Sequence, residues 1–128
     1  MKRLVLLFAV LIGCTTLVGT SNPAAAAPPT TVTGRVINAA TGVGVGGVIV
    51  SARDVLDRSI VYAHAQSGPK GYYTLTNVTQ EEFGLRFNGS SVHYETGWLA
   101  CDHTVVPTWG AACSHVPGPQ GNARLDHL

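Results

Sequence analysis

The chain is 128 residues long, with 12% charged and 45% apolar side chains and a formal charge of +1. That length holds one domain with little to spare. Once Lys2 and Arg3 are set aside, six basic side chains face seven acidic ones. A body so close to neutral excludes the many phosphate contacts of a nucleic-acid binder and the polybasic patch of a membrane-surface protein.

Apolar residues crowd the start, with 17 in the first 27 positions and 41 in the remaining 101. Lys2-Arg3 is a positive n-region, Leu4 to Val18 an apolar stretch, and Ala24 to Ala27 a run of small residues. This is the layout of a secretory signal peptide over residues 1–26, cleaved near Ala26, with residues 27–30 as an extended linker. Leu11-Ile12-Gly13-Cys14 offers a rival processing site, similar to the lipobox of bacterial lipoproteins. On that route Cys14 would carry the acyl chains, and only then does a membrane become a partner. Both routes lead out of the cytoplasm. Either leaves Cys101 and Cys113 as an even pair in an oxidising compartment, which predicts a disulfide. Closing so short a loop stabilises by about 3 kcal/mol in the loop-entropy account.

Beyond the linker the chain reads as short β segments separated by turns, with no helical periodicity longer than a turn or two. Thr31 to Asn38 alternates, with Val32 and Val36 on one side. Residues 39–47 form a glycine-dense reversal. Val48 to Arg53 follows, with Val48, Val50 and Ala52 as its inward set, and then Asp54 to Arg58 as a turn. Ser59 to Ala65 is a third strand, Ser67-Gly68-Pro69-Lys70-Gly71 a strong turn signal, and Tyr72 to Thr76 a strand in which Tyr73 and Leu75 share a face. Phe83, Leu85 and Phe87 give the clearest core face at period 2, and Val92 to Leu99 and Thr104 to Val106 complete the set. Residues 114–128, rich in Pro, Gly and His, read as an irregular tail. The fold class is therefore all-β: a seven-stranded antiparallel β-sandwich over residues 31–113.

Four stretches also carry a family likeness. Val32-Thr33-Gly34-Arg35-Val36, Thr41-Gly42 and Gly47-Val48-Ile49-Val50 resemble the opening of carboxypeptidase regulatory-like domains, and Gly71-Tyr72-Tyr73-Thr74-Leu75 resembles their second landmark. The likeness spans roughly Thr31 to Trp98. It implies a prealbumin-like or carbohydrate-binding-like sandwich, in the broad Ig-like class, with a noncatalytic accessory role. Carbohydrate or a cell-envelope protein is the partner it implies. Gly44 departs from the pattern, which usually has Pro there. Related pilin-like modules form a Lys–Asn isopeptide bond, but Lys70, the sole Lys beyond the leader, falls in a turn.

Independently of that likeness, certain residues could carry chemistry. Tyr72, Tyr94, Trp98 and Trp109 are candidates for a sugar platform, because apolar sugar faces stack on exposed rings. The competing reading has the two Trp covering the core near the disulfide. Cys101-Asp102-His103 and Cys113-Ser114-His115 repeat a C-x-H unit. With the thiols oxidised, His103 and His115, with Asp102 beside them, could hold a weak Zn²⁺ or Cu²⁺; the alternative is two loop histidines beside a structural bridge. Catalysis has no recognisable foothold: the chain contains no G-x-S-x-G elbow, H-E-x-x-H helix or phosphate-cradling loop, and nothing in it calls for a cofactor. Glu81-Glu82 read as a solvated loop pair. Asp54 and Asp57 read as turn residues that bond local amides.

The sequence thus predicts an exported, noncatalytic binding or structural module. Sugar binding, protein interaction and weak metal binding stand as alternatives.

Overall fold

The computed structural model describes residues 30–128. The predicted signal peptide, Cys14 and the linker up to residue 29 lie outside that range. Eight strands follow in order: β1 (Val32–Asn38), β2 (Ile49–Arg53), β3 (Val61–Gln66), β4 (Tyr72–Leu75), β5 (Gly84–Asn88), β6 (Thr96–Leu99), β7 (Val105–Val106) and β8 (Gly118–Leu125). They form two stacked sheets, a three-stranded one ordered β4-β1-β8 and a five-stranded one ordered β3-β2-β5-β6-β7. The molecule is an all-β sandwich.

The alternation read from the sequence decides which side chains meet between the layers. Val50 and Ala52 of β2, Leu85 and Phe87 of β5, and Val32, Val36 and Leu75 of the facing sheet are buried, as are the flanking Val48 and Phe83. Successive strand side chains point to opposite faces, so their neighbours Ser51, Arg53, Arg86 and Trp98 point away from the core. Tyr73 and Phe87 meet across the layers edge to face, with ring centroids 5.8 Å apart. The Tyr73 ring lies over Gly34, its partner on β1. A Cβ there would fall 2.7 Å from Tyr73 Cζ, so glycine is what lets this ring close the core. The crowding comes from the neighbouring strand of the same sheet. The tyrosine hydroxyl is buried and does not emerge at an edge.

The glycine-dense reversal is pinned by one buried side chain. Ser67 Oγ donates to Val45 O at 2.8 Å and accepts from Val48 N at 3.0 Å. The turn after β2 is built as expected. Asp54 Oδ1 accepts from Leu56 N and Asp57 N at 2.7 and 2.9 Å, and Asp57 Oδ1 accepts from Ser59 N at 3.1 Å.

Three expectations need correction. Residues 114–128 are not an irregular tail: β8 pairs in parallel with β1, from Val32↔Gly118 to Asn38↔Leu125, and buries Ala123 and Leu125. The sandwich therefore has eight strands among the described residues, not seven, and its folded body runs past Cys113. Nor is the arrangement wholly antiparallel, since β1–β8 is a parallel pair while the other ladders are antiparallel. The stretch from Val92 to Leu99 is a strand only from Thr96. Before it comes a 3₁₀ turn at Ser90–Val92, and His93 takes a left-handed conformation (φ 67°) that reverses the chain.

Candidate functional site

Cys101 and Cys113 form the predicted disulfide, with Cα atoms 5.3 Å apart. It closes the loop that leaves β6, carries β7 and a 3₁₀ turn at Trp109–Ala111, and returns toward β8. Cys113 N donates to Leu99 O at 3.2 Å, and Phe83 and His115 exchange two backbone hydrogen bonds at 2.9 and 2.8 Å. The loop is thereby held against the end of the five-stranded sheet, and Trp109 with it.

That attachment places Trp109 on the outer face of the sheet. Its ring meets Trp98 edge to face with centroids 5.3 Å apart. Both rings lie over Gly84, where a Cβ would come 2.5 Å from Trp109 and 3.3 Å from Trp98. The Arg58 guanidinium sits 5.6 Å from the Trp109 centroid, within cation–π range. The ladder registers continue the surface sideways: Trp98 stands beside Arg86, Arg86 beside Ser51, and Ser51 beside His64. Arg53, two residues from Ser51, pairs with Gly84. Arg53 Nε donates to Ser51 Oγ at 2.9 Å and its Nη1 to Arg58 O at 3.0 Å, while Arg58 Nη1 donates to Val55 O at 3.0 Å. These acceptors are neutral. Burial, and then the positive charge of Arg86, lower the pKa of Arg53.

The four candidate aromatics do not form one platform. Trp98 and Trp109 come together as described. Tyr72 is on the opposite side of the molecule, 62% exposed on the three-stranded sheet, with the Arg35 guanidinium 5.0 Å from its ring centroid. Beside it lies a shallow cleft of about 260 Å³, lined by Thr33, Arg35, Thr74, Pro119 and Asn122 among others. Tyr94 is a fastener: its hydroxyl accepts from Asn38 Nδ2 at 2.9 Å and its ring meets His127 edge to face at 4.8 Å.

The proposed metal ligands do not form a group of three either, although His103 lies close enough to His115 for its charge to act on it. Asp102 Oδ1 accepts from the Thr104 hydroxyl at 2.6 Å and the Thr104 amide at 3.0 Å, and these bonds hold its pKa below the usual carboxylate value. His115 Nε2 faces Leu99 O at 3.1 Å. A carbonyl can only accept, so that nitrogen carries the proton and is closed to a metal. Burial lowers the His115 pKa. His103 is exposed in a left-handed turn (φ 70°). Among the described residues no group of three or more His, Cys, Asp or Glu is placed to hold an ion. Asp102, His103 and His115 are thus not arranged as a three-ligand site.

Sequence reasoning passed over Arg53, Arg58, Arg86 and Gly84. The signal was available for two of them, because Arg53 follows Ala52 and Arg86 sits between Leu85 and Phe87, the outward slots of alternating strands.

No protein-family model and no curated protein matches the chain. Among solved structures it is similar to a group B streptococcus pilus 2b backbone protein, at 13% identity and a TM-score of 0.46. The match covers 77% of this chain, which spans 41% of that protein's length. The likeness is slight, and the sandwich described above stands on its own strands and core.

Proposed function

We propose that this chain is an exported, noncatalytic module that works by surface contact at the cell envelope, through the outer face of its five-stranded sheet. The observation that carries the reading is the Trp98–Trp109–Arg58 cluster, held in place by the disulfide-closed loop over Gly84. Two indoles and a guanidinium fixed on a sheet surface are the residue types that anchor interfaces. Asp54, Asp57 and Asp102 each accept hydrogen bonds from turn amides, a structural use of these carboxylates. The leader reading supplies the export step.

The test uses the exported protein from a producing cell, re-added to isolated envelope fragments. Wild type should sediment with the fragments, and the Trp98→Ala/Trp109→Ala variant should remain in the supernatant. Equal sedimentation of the two, or none by wild type, overturns the reading. Intact-mass measurement of the same material reports leader removal, any acyl group on Cys14 and the two hydrogens lost to the disulfide.

A further inference from the structure

We infer that the partner at this face is an acidic polysaccharide, its carboxylates met by Arg53, Arg58 and Arg86 and its sugar rings resting against Trp98 and Trp109. The inference rests on the surface-contact reading above and names the chemistry of the ligand.

Charge is the first argument. Beyond the leader the chain has six basic residues against seven acidic ones, yet three of the six converge on this face. None of the five strands that build the sheet contains Asp or Glu. The acidic residues at the rim are Asp54 and Asp57, which both feel the charge of Arg58. The Asp54 carboxylate is already engaged by the Tyr62 hydroxyl and by the amides of Leu56 and Asp57, and the Asp57 carboxylate by the hydroxyl and amide of Ser59. The Arg53 and Arg58 guanidiniums hydrogen-bond only to neutral oxygens, and Arg53 and Arg86 repel each other. A concentration of like charge inside a near-neutral molecule is relieved by an anion. The planar guanidinium fork fits a carboxylate with two parallel hydrogen bonds.

Geometry argues for a sugar chain over a peptide. The backbone groups of β2, β5 and β6 are spent on neighbours to both sides. A peptide can add a strand only at the free edges, β3 and β7, and not on the face. Recognition on the face must therefore use side chains, and those present are rings and guanidiniums. Arg53 and Arg86 stand diagonally on adjacent strands, about 7–8 Å apart at the backbone. Side by side, they can meet charges repeated along a polymer. Three guanidiniums are few for a nucleic acid, whose binding draws its strength from many neutralised phosphates.

The closing experiment is affinity electrophoresis of the exported protein in gels containing polygalacturonate, dextran, polyglutamate or single-stranded oligonucleotide. Polygalacturonate should retard the wild type, added salt should weaken the effect, and dextran should have none. Arg86→Gln and Arg58→Gln should each weaken retardation about tenfold, the loss of one charge-assisted contact, while Arg86→Lys keeps part of it. Melting curves of each variant separate lost binding from lost fold; a variant that melts early is replaced by the other arginine's. Absence of retardation by polygalacturonate overturns the inference. So does equal retardation by polyglutamate or oligonucleotide, or indifference to both Gln variants. If the protein still sediments with envelope fragments through Trp98 and Trp109 but ignores polygalacturonate, the ligand assignment falls and the surface-contact reading stands.

Discussion

Tyr73 shows how one side chain can serve packing at the expense of a polar atom. It is 3% exposed, lies over Gly34 and meets Phe87 across the two layers. Its hydroxyl has no hydrogen-bond partner among the described residues, and burial pushes its pKa well above that of an ordinary phenol. An unpartnered buried polar group costs about 1–3 kcal/mol. Tyr73→Phe keeps the ring and removes the liability, so it should raise unfolding stability by about 1 kcal/mol in urea titration. A loss of stability instead would mean that the hydroxyl is satisfied. The ring's inward direction was legible, because Tyr73 and Leu75 alternate with Tyr72 and Thr74. The fate of the hydroxyl was not, since it depends on which strand lies alongside and on the glycine that strand presents.

At the level of elements, what was legible is what alternates, and what was not depends on partners distant in sequence. β2 and β5 declared themselves through Val48, Val50, Ala52 and Phe83, Leu85, Phe87, and these residues are buried as the pattern required. β8 did not declare itself. Its first half, Gly118 to Gly121, has turn composition and two left-handed glycines, and its inward set is only Ala123 and Leu125. It becomes a strand because β1 offers a free edge and the register shifts between Thr33 and Arg35 to absorb the extra residue. That Trp98 and Trp109 lie near the bridge was legible, but their meeting on the outer face over Gly84 was not, since it depends on how the bridged loop folds back. Leu125→Ala separates a strand from a loose tail: Leu125 is fully buried, and truncating a buried leucine costs about 2–5 kcal/mol. Thermal unfolding should show a drop of that size, whereas a change within about 0.5 kcal/mol would mean the segment is not part of the core.

Across the whole molecule, groups whose proton affinity changes on folding set the response to pH, and their signs differ. Burial lowers the His115 pKa in the folded state, so the unfolded chain binds the proton more readily. Stability from this group is present above the unfolded value, near pH 6.5, and is lost as pH falls through the lower folded value. Glu95 runs the other way. Burial raises its pKa, so its contribution is complete below the unfolded carboxyl value and is lost as pH rises through the folded one. Asp54, Asp57 and Asp102, held low chiefly by hydrogen bonds, lose their contribution only in stronger acid. Between about pH 7.5 and about pH 5.5 the falling limb therefore belongs to His115. His115 also bonds the Leu99 carbonyl where the bridged loop meets the sheet, so its protonation bears on the element that carries Trp109. His115→Gln retains a donor for that carbonyl and removes the titration. The melting temperature of wild type should fall over that interval while that of His115→Gln stays nearly level; parallel slopes would remove His115 as the cause.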